Sequence, residues 1–325
     1  VIPKPASLIL SPTPLHRLNR ASEILGLDLW IKRDDLTGFA LGGNKGRKLE
    51  YLIADAVSHE AEVVVTCGSA QSNFVRQLGA ACARYGIACH AVVMALPFED
   101  ARPTTDGLTA TGGNETLDRI LGVNLSLHPD GTWDDLYELA EAEARRLEAL
   151  GRRVYRVPIG GSSPLGAYSF VQAAAEIAEQ TDYFDWIVTA SSSGSTQTGL
   201  TWALRGGLTK VLGVACDPEP EIVEDFAELA AKLDHLTGET RGLQPSDFQM
   251  DFDFVGPGYG VPSEAGNAAI EFLARHEGIF LDPIYSGKAF ACLMSRAGKH
   301  ELTGRVLFWH TGGTPALFAV KSPES

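Results

Sequence analysis

The sequence predicts an α/β protein made of two parallel sheets, each covered by helices on both faces. Short β-branched or apolar runs alternate with longer stretches of helical periodicity along all 325 residues, the pattern of strand–helix–strand units. A composition 45% hydrophobic and 21% charged supplies enough apolar surface for two ordinary cores. The third observation is a loop rich in Pro, Thr and Gly over residues 97–113, which divides the strand-bearing segments into two groups.

The elements follow in order. Residues 29–32 read as a strand that leads through Gly38, Gly42 and Gly43 into a helix, where Leu49, Leu52, Ile53, Ala56 and Val57 recur at helical spacing. Residues 62–67 form a β-branched run expected to be a buried strand. A helix over 71–85 follows, with Val75, Leu78 and Cys82 on one face, and 89–94 is the next strand. Beyond the 97–113 loop come two helices, the second carrying Trp133, Leu136, Tyr137, Ala140, Ala144 and Leu147 as one stripe opposite an acidic face. After a strand at 154–157, the turn Gly160-Gly161-Ser162-Ser163-Pro164 opens a helix over 165–181. The strand 186–190 then runs through Ser191-Ser192-Ser193-Gly194-Ser195-Thr196 into another helix. Residues 211–216 and 306–309 supply further strands, and 222–233, 264–276 and 288–296 further helices.

Charge and cysteine content restrict the function. With 27 Lys and Arg against 41 Asp and Glu the formal charge is −14, which repels nucleic acid and anionic membranes. The five cysteines are dispersed, with no Cys-x-x-Cys and no zinc-ligand spacing, as expected of reduced thiols in a cytoplasm; no metal is expected. Residues 1–15 carry neither a charged leader nor a long apolar stretch, so secretion and membrane spanning are disfavoured.

Three motifs can carry chemistry. Dinucleotide, P-loop and hydrolase-elbow signatures are absent. The small residues Ser193-Gly194-Ser195-Thr196 between a strand and a helix leave backbone N–H groups free for one phosphate, although they also suit an ordinary capped loop. In Gly42-Gly43-Asn44-Lys45, a lysine enters a helix where the N–H dipoles disfavour its charge, so a lowered pKa or an imine would relieve it. A surface lysine among basic neighbours is the alternative. Gln71-Ser72-Asn73 follows a strand end, where substrates bind in parallel sheets, and Ser72 would equally cap the helix. Tyr259, Tyr285, Ser286 and Thr311 lie in glycine-flanked turns farther on.

Together, Gly42-Gly43-Asn44-Lys45-x-Arg47-Lys48-Leu49-Glu50, Gln71-Ser72-Asn73-x-x-Arg76-Gln77, Gly194-Ser195-Thr196, Tyr259-Gly260 and Gly312-Gly313 resemble the D-cysteine desulfhydrase and aminocyclopropane-carboxylate deaminase family, from about residue 12 to 318. The resemblance implies a pyridoxal-phosphate enzyme of the tryptophan-synthase β-like fold. Its large cofactor domain would comprise residues 1–46 and 158–325, with a small domain, 47–157, inserted. Lys45 would hold the cofactor covalently, Asn44, Asn73 and Thr311 would touch it, and Ser193, Gly194, Ser195 and Thr196 would cradle its phosphate. Ser72, Tyr259 and Tyr285 would join Lys45 in catalysis, with Gln71, Asn73 and Ser286 also facing the substrate. Phe74 stands where relatives carry His or Gln.

The deaminase branch has Glu and Leu where this chain has Ser286 and Thr311, so the favoured reaction is β-elimination from D-cysteine to pyruvate, ammonia and hydrogen sulfide. The alternatives are an L-cysteate sulfo-lyase or a cyclopropane deaminase, then an amino-acid racemase or a non-catalytic pyridoxal-phosphate protein. The expected partner is a small amino acid, and the expected assembly a cytoplasmic homodimer.

Overall fold

The computed structural model describes residues 1–319. In chain order it contains β1 (Leu15–Arg17), α1 (Asn19–Leu25), β2 (Asp28–Arg33), α2 (Lys45–Ser58), β3 (Val63–Ser69), α3 (Asn73–Tyr85), β4 (Ala88–Met94), α4 (Gly113–Ile120), β5 (Asn124–His128) and α5 (Trp133–Ala149). There follow β6 (Val154–Arg156), α6 (Pro164–Gln180), β7 (Trp186–Ser191), α7 (Ser195–Ala203), β8 (Lys210–Ala215), α8 (Ile222–Thr237), β9 (Gln249–Asp251), α9 (Glu264–Glu277), α10 (Ser286–Gly298) and β10 (Arg305–His310).

The strands form two sheets, as the alternating pattern predicts. One has the order β5-β4-β3-β6 and is wholly parallel. The other has the order β1-β2-β10-β7-β8-β9, parallel except where β1 pairs with β2. Both faces of the larger sheet are buried, which is why its strands lack polar alternation. Val188, Val214, Val306 and Phe308 pack against Phe290 and Leu293 of α10 on one face. Ile187, Val211, Leu307 and Trp309 pack against Phe170 and Ile177 of α6 on the other.

Four short elements, β1, α1, β5 and β9, have no counterpart in the sequence expectations. They are three to seven residues long; β5 is a mostly exposed edge strand whose alternating Asn124-Leu125-Ser126-Leu127-His128 is a strand signal too short to stand out. The predicted stripe on α5 is buried at Leu136, Ala140, Ala144 and Leu147, whereas Trp133 is half-buried and Tyr137 exposed. Those two face a cleft.

The start of α2 is pinned by a buried charge network. Arg47 donates to both Asp34 carboxylate oxygens at 2.8 and 2.9 Å and to Glu176 Oε2 at 2.9 Å. Lys32 Nζ donates to Glu176 Oε1 at 2.5 Å, and Trp309 Nε1 to Asp34 at 2.8 Å. Burial alone would raise the Glu176 carboxyl, but hydrogen bonds and charge from Arg47 and then Lys32 outweigh it and hold it at about 2. A folded-state value below the unfolded one gives stability that is complete above about pH 4.5 and is lost as pH falls toward 2. Glu176→Gln should therefore destabilise the protein by about 3 kcal/mol at neutral pH, because buried Lys32 loses its counter-charge and Arg47 keeps only Asp34. It should also flatten the acid dependence, as read by urea unfolding between about pH 3 and 7; an acid limb as steep as wild type would contradict this assignment.

Candidate active site

The loops at the carboxyl ends of β3, β7 and β10 converge with the start of α2 on one cleft between the two sheets, the position at which parallel sheets bind ligands. Lys45 is the first residue of α2. The turn before it needs glycine: Gly42 has φ +75°, and a Cβ there would lie 1.8 Å from the Asp35 carbonyl oxygen. Asn44 ties this turn to two others, its N–H donating to Thr311 O at 2.9 Å and its Nδ2 to Thr196 Oγ1 at 3.1 Å. Lys48, one helical turn on, also lines the cleft, with Nζ donating to Gly160 O at 3.0 Å. Burial lowers the Lys45 pKa. Burial and the neighbouring Lys45 charge lower that of Lys48 much further. Both shifts favour the uncharged, nucleophilic form of the amine over what an exposed lysine would show.

In the same lining, β7 runs through Ser192 and Ser193 to Gly194, the N-cap of α7. No side chain caps that helix, so the N–H groups of its first turn remain open to an anion. Ser191 Oγ, Ser195 Oγ and Thr198 Oγ1 are buried without partners among the described residues. Ser193, Gly194 and Thr196 line the cleft, while the Ser195 side chain is fully buried behind it. Gly194 has φ +88°, and a Cβ on it would fall 2.1 Å from the Phe226 ring.

Ser72 caps α3, its Oγ accepting from Val75 N–H at 3.3 Å, which leaves the hydroxyl proton for the cleft. Asn73 Oδ1 accepts from Arg76 at 2.7 Å and from Asn114 at 3.0 Å, leaving its Nδ2 as the donor toward the cleft. Gln71 is not in the lining. Its Nε2 donates to Thr109 O at 2.9 Å and Gly112 O at 3.0 Å, holding the 97–113 loop.

The far wall carries Tyr259 and Tyr285, whose hydroxyls lie 2.5 Å apart; Ser69 Oγ is 3.3 Å from that of Tyr259. Burial raises Tyr259 to about 12 and Tyr285 well above its ordinary value, so both are protonated phenols at neutral pH. The Tyr285 N–H donates to Asp282 at 2.9 Å. Ser286 lies behind it, donating to Asp282 Oδ1 at 2.6 Å and outside the lining, whereas Thr311 is in the lining. Sequence reasoning missed Lys48, Trp133 and Asp217. The first had a signal, since residues three apart on a helix share a face.

One amine, one anion cradle and an amide donor between them fit a small aldehyde bearing a single phosphate; the uncapped helix start and the unpartnered hydroxyls behind it are the features such a group would complete. Among the described residues no cluster of His, Cys, Asp or Glu could hold a metal ion.

Comparison with known proteins agrees. The chain is 43% identical to D-cysteine desulfhydrase of Yersinia enterocolitica, covering 96% of this chain and 94% of that protein. It is 39% identical to the D-cysteine desulfhydrase of Salmonella newport at the same coverage. A solved structure of an ACC deaminase homologue superposes with a TM-score of 0.87 at 35% identity, covering 98% of this chain and 94% of that one. An O-ureido-L-serine synthase, 20% identical, shares the fold with a TM-score of 0.66 over 94% and 90% of the two chains. Residues 6–312 match the family profile described as pyridoxal-phosphate dependent enzyme, and the chain belongs to that family.

Proposed function

We propose that the protein is a D-cysteine desulfhydrase, releasing pyruvate, ammonia and hydrogen sulfide. The observation that carries this reading is the pair of protonated phenols, 2.5 Å apart, in the lining of the same cleft as the lysines. Bound pyridoxal phosphate supplies an electron sink for the electrons of the α-carbon–hydrogen bond. Lys45 is the amine that would hold the cofactor and, as a lysine in the cleft lining, would serve as the base for the α-proton. Ser193, Gly194, Thr196 and the backbone of Ser195 hold the phosphate, assisted by Lys48, while Asn73 and Thr311 orient the ring. The free hydroxyl proton of Ser72 meets the substrate carboxylate. Because Tyr259 and Tyr285 share one hydrogen bond, one phenolic proton is left over for the departing sulfur. The test is direct: purified protein should release sulfide and pyruvate in equal amounts from D-cysteine and far less from L-cysteine, and no sulfide from either would refute the proposal.

At Thr311 the cleft offers the ring a hydroxyl where the deaminase branch has a leucine. Thr311→Leu should lower sulfide release by more than about tenfold, at least about 1.4 kcal/mol on the barrier. Ser286→Ala should instead cost about 1–3 kcal/mol of stability through its lost bond to Asp282 and leave the order of substrates unchanged. Urea unfolding and a substrate series on both variants separate the two; a changed substrate order in Ser286→Ala would place that residue in the site after all.

The reading includes a domain division and an assembly. A small domain of residues 47–157 is supported by the four-stranded sheet, whose strands all fall between Val63 and Arg156. Its boundary crosses the first turn of α2, and the large domain, 1–46 with 158–325, ends in residues 320–325, which lie outside the described ones. A homodimer is supported by the exposed Leu36, Leu41, Phe280 and Phe318 along one apolar groove. Among the described residues no helix is long and apolar enough to cross a membrane, consistent with the proposed cytoplasmic location.

A further inference from the structure

We infer that an acidic vestibule makes this enzyme selective for amino acids with an uncharged β-substituent and against those carrying a β-sulfonate or β-carboxylate. The inference rests on the desulfhydrase reading and narrows its substrate class. A second cavity abuts the lysine cleft and shares Trp133, Ile159, Ser192 and Ser193 with it as a common wall. Its lining carries six acidic side chains, Glu99 from the 97–113 loop, Asp134 on α5, Asp217 and Glu219 after β8, and Asp225 and Glu228 on α8, crowded enough that burial and mutual repulsion push Glu219 up to about 7. One cation, Lys232, belongs to that lining, and it lies 3.7 Å from Glu228. No ion pair engages the other five among the described residues.

Within the common wall Ser193 belongs to the phosphate turn, and Trp133 is fixed in a form that offers a second anion nothing. Trp133 presses its ring edge on Tyr259, centroids 5.0 Å apart, and its indole N–H, the one donor of that side chain, is spent on Asp217 at 2.8 Å. Asp217 is itself buried. The cations deeper in the cleft, Lys45 and Lys48, are committed to the cofactor's carbonyl and phosphate on the reading above. A zwitterionic amino acid with a neutral side chain carries no net charge past these carboxylates. One bearing a β-sulfonate or β-carboxylate brings a net negative charge into a cleft whose low-dielectric walls concentrate their field.

The pair D-asparagine and D-aspartate, similar in shape and different by one charge, tests this by calorimetric titration of the holoenzyme. Asparagine should bind at least about tenfold more tightly than aspartate at an ionic strength of about 20 mM, and the ratio should shrink several-fold at about 300 mM, where screening acts. The double variant Glu219→Gln with Asp225→Asn should shrink the low-salt ratio at least about threefold while leaving sulfide release from D-cysteine within about twofold of wild type. Equal binding of the two amino acids, a ratio indifferent to both salt and the variant, or no asparagine binding at millimolar concentration overturns the inference. Failure of the desulfhydrase reading is seen separately: no sulfide from D-cysteine, with the charge-dependent binding ratio intact, removes the reaction and leaves the selectivity.

Discussion

Replacing Lys45 with alanine should reduce turnover by at least about 10³-fold, equivalent to roughly 4 kcal/mol, with folding intact. The size follows from the absence of a substitute. Among the described residues Lys48 is the only other lysine in the cleft lining, and it is 1% exposed with its Nζ donating to Gly160 O. Lys45 stands at the end of a glycine turn locked by Asn44 to Thr311 and Thr196, so it faces the cleft from a fixed base. Borohydride reduction of the holoenzyme should attach the cofactor to the Lys45 peptide and bleach its visible or near-ultraviolet band. Attachment at Lys48, or turnover surviving in Lys45→Ala, contradicts the assignment. Lys48→Ala should spare the covalent link and loosen the cofactor.

Gly194→Val should weaken cofactor binding by more than about 100-fold, roughly 3 kcal/mol. Two costs combine at this position. The backbone sits at φ +88°, which a β-branched residue resists, and the new Cβ would start 2.1 Å from Phe226, itself held by an edge contact to Phe248 at 5.6 Å. Relief requires moving the turn that presents the α7 N–H groups, or displacing a buried ring from its core. Ser195→Ala is the control, since its hydroxyl is buried behind the turn and has no partner among the described residues, so the backbone is untouched and binding should fall only a few-fold. Cofactor titration followed by absorbance measures both variants, with circular dichroism to separate loosened binding from unfolding. Wild-type affinity in a folded Gly194→Val protein contradicts the phosphate role of this turn.

How far the sequence betrays this site depends on the kind of signal each residue carries. The strands at β3, β7, β8 and β10 were legible because both faces are buried, which makes their central residues mostly apolar. Lys45 and Gly194 were legible because glycine is required beside them. Gln71 and Ser286 show the limit. Their positions at strand-end turns suggest substrate contact, yet the structure directs their hydrogen bonds to the 97–113 loop and to Asp282. Sequence supplies the donor and not its direction. Trp133 and Asp217 meet across 84 positions with no local pattern linking them. The one trace was an apolar stripe on α5 that ran a turn farther than the core it covers.

The most direct measurement of the central claim is a parallel assay of the purified holoenzyme with D-cysteine, L-cysteine, L-cysteate and aminocyclopropane carboxylate, following keto acid, sulfide and sulfite together. The account predicts that D-cysteine gives the highest kcat/KM, with one pyruvate formed per sulfide. Faster sulfite release from L-cysteate would contradict both the leaving group and the acidic vestibule. Faster keto-acid formation from the cyclopropane substrate would contradict the reaction itself.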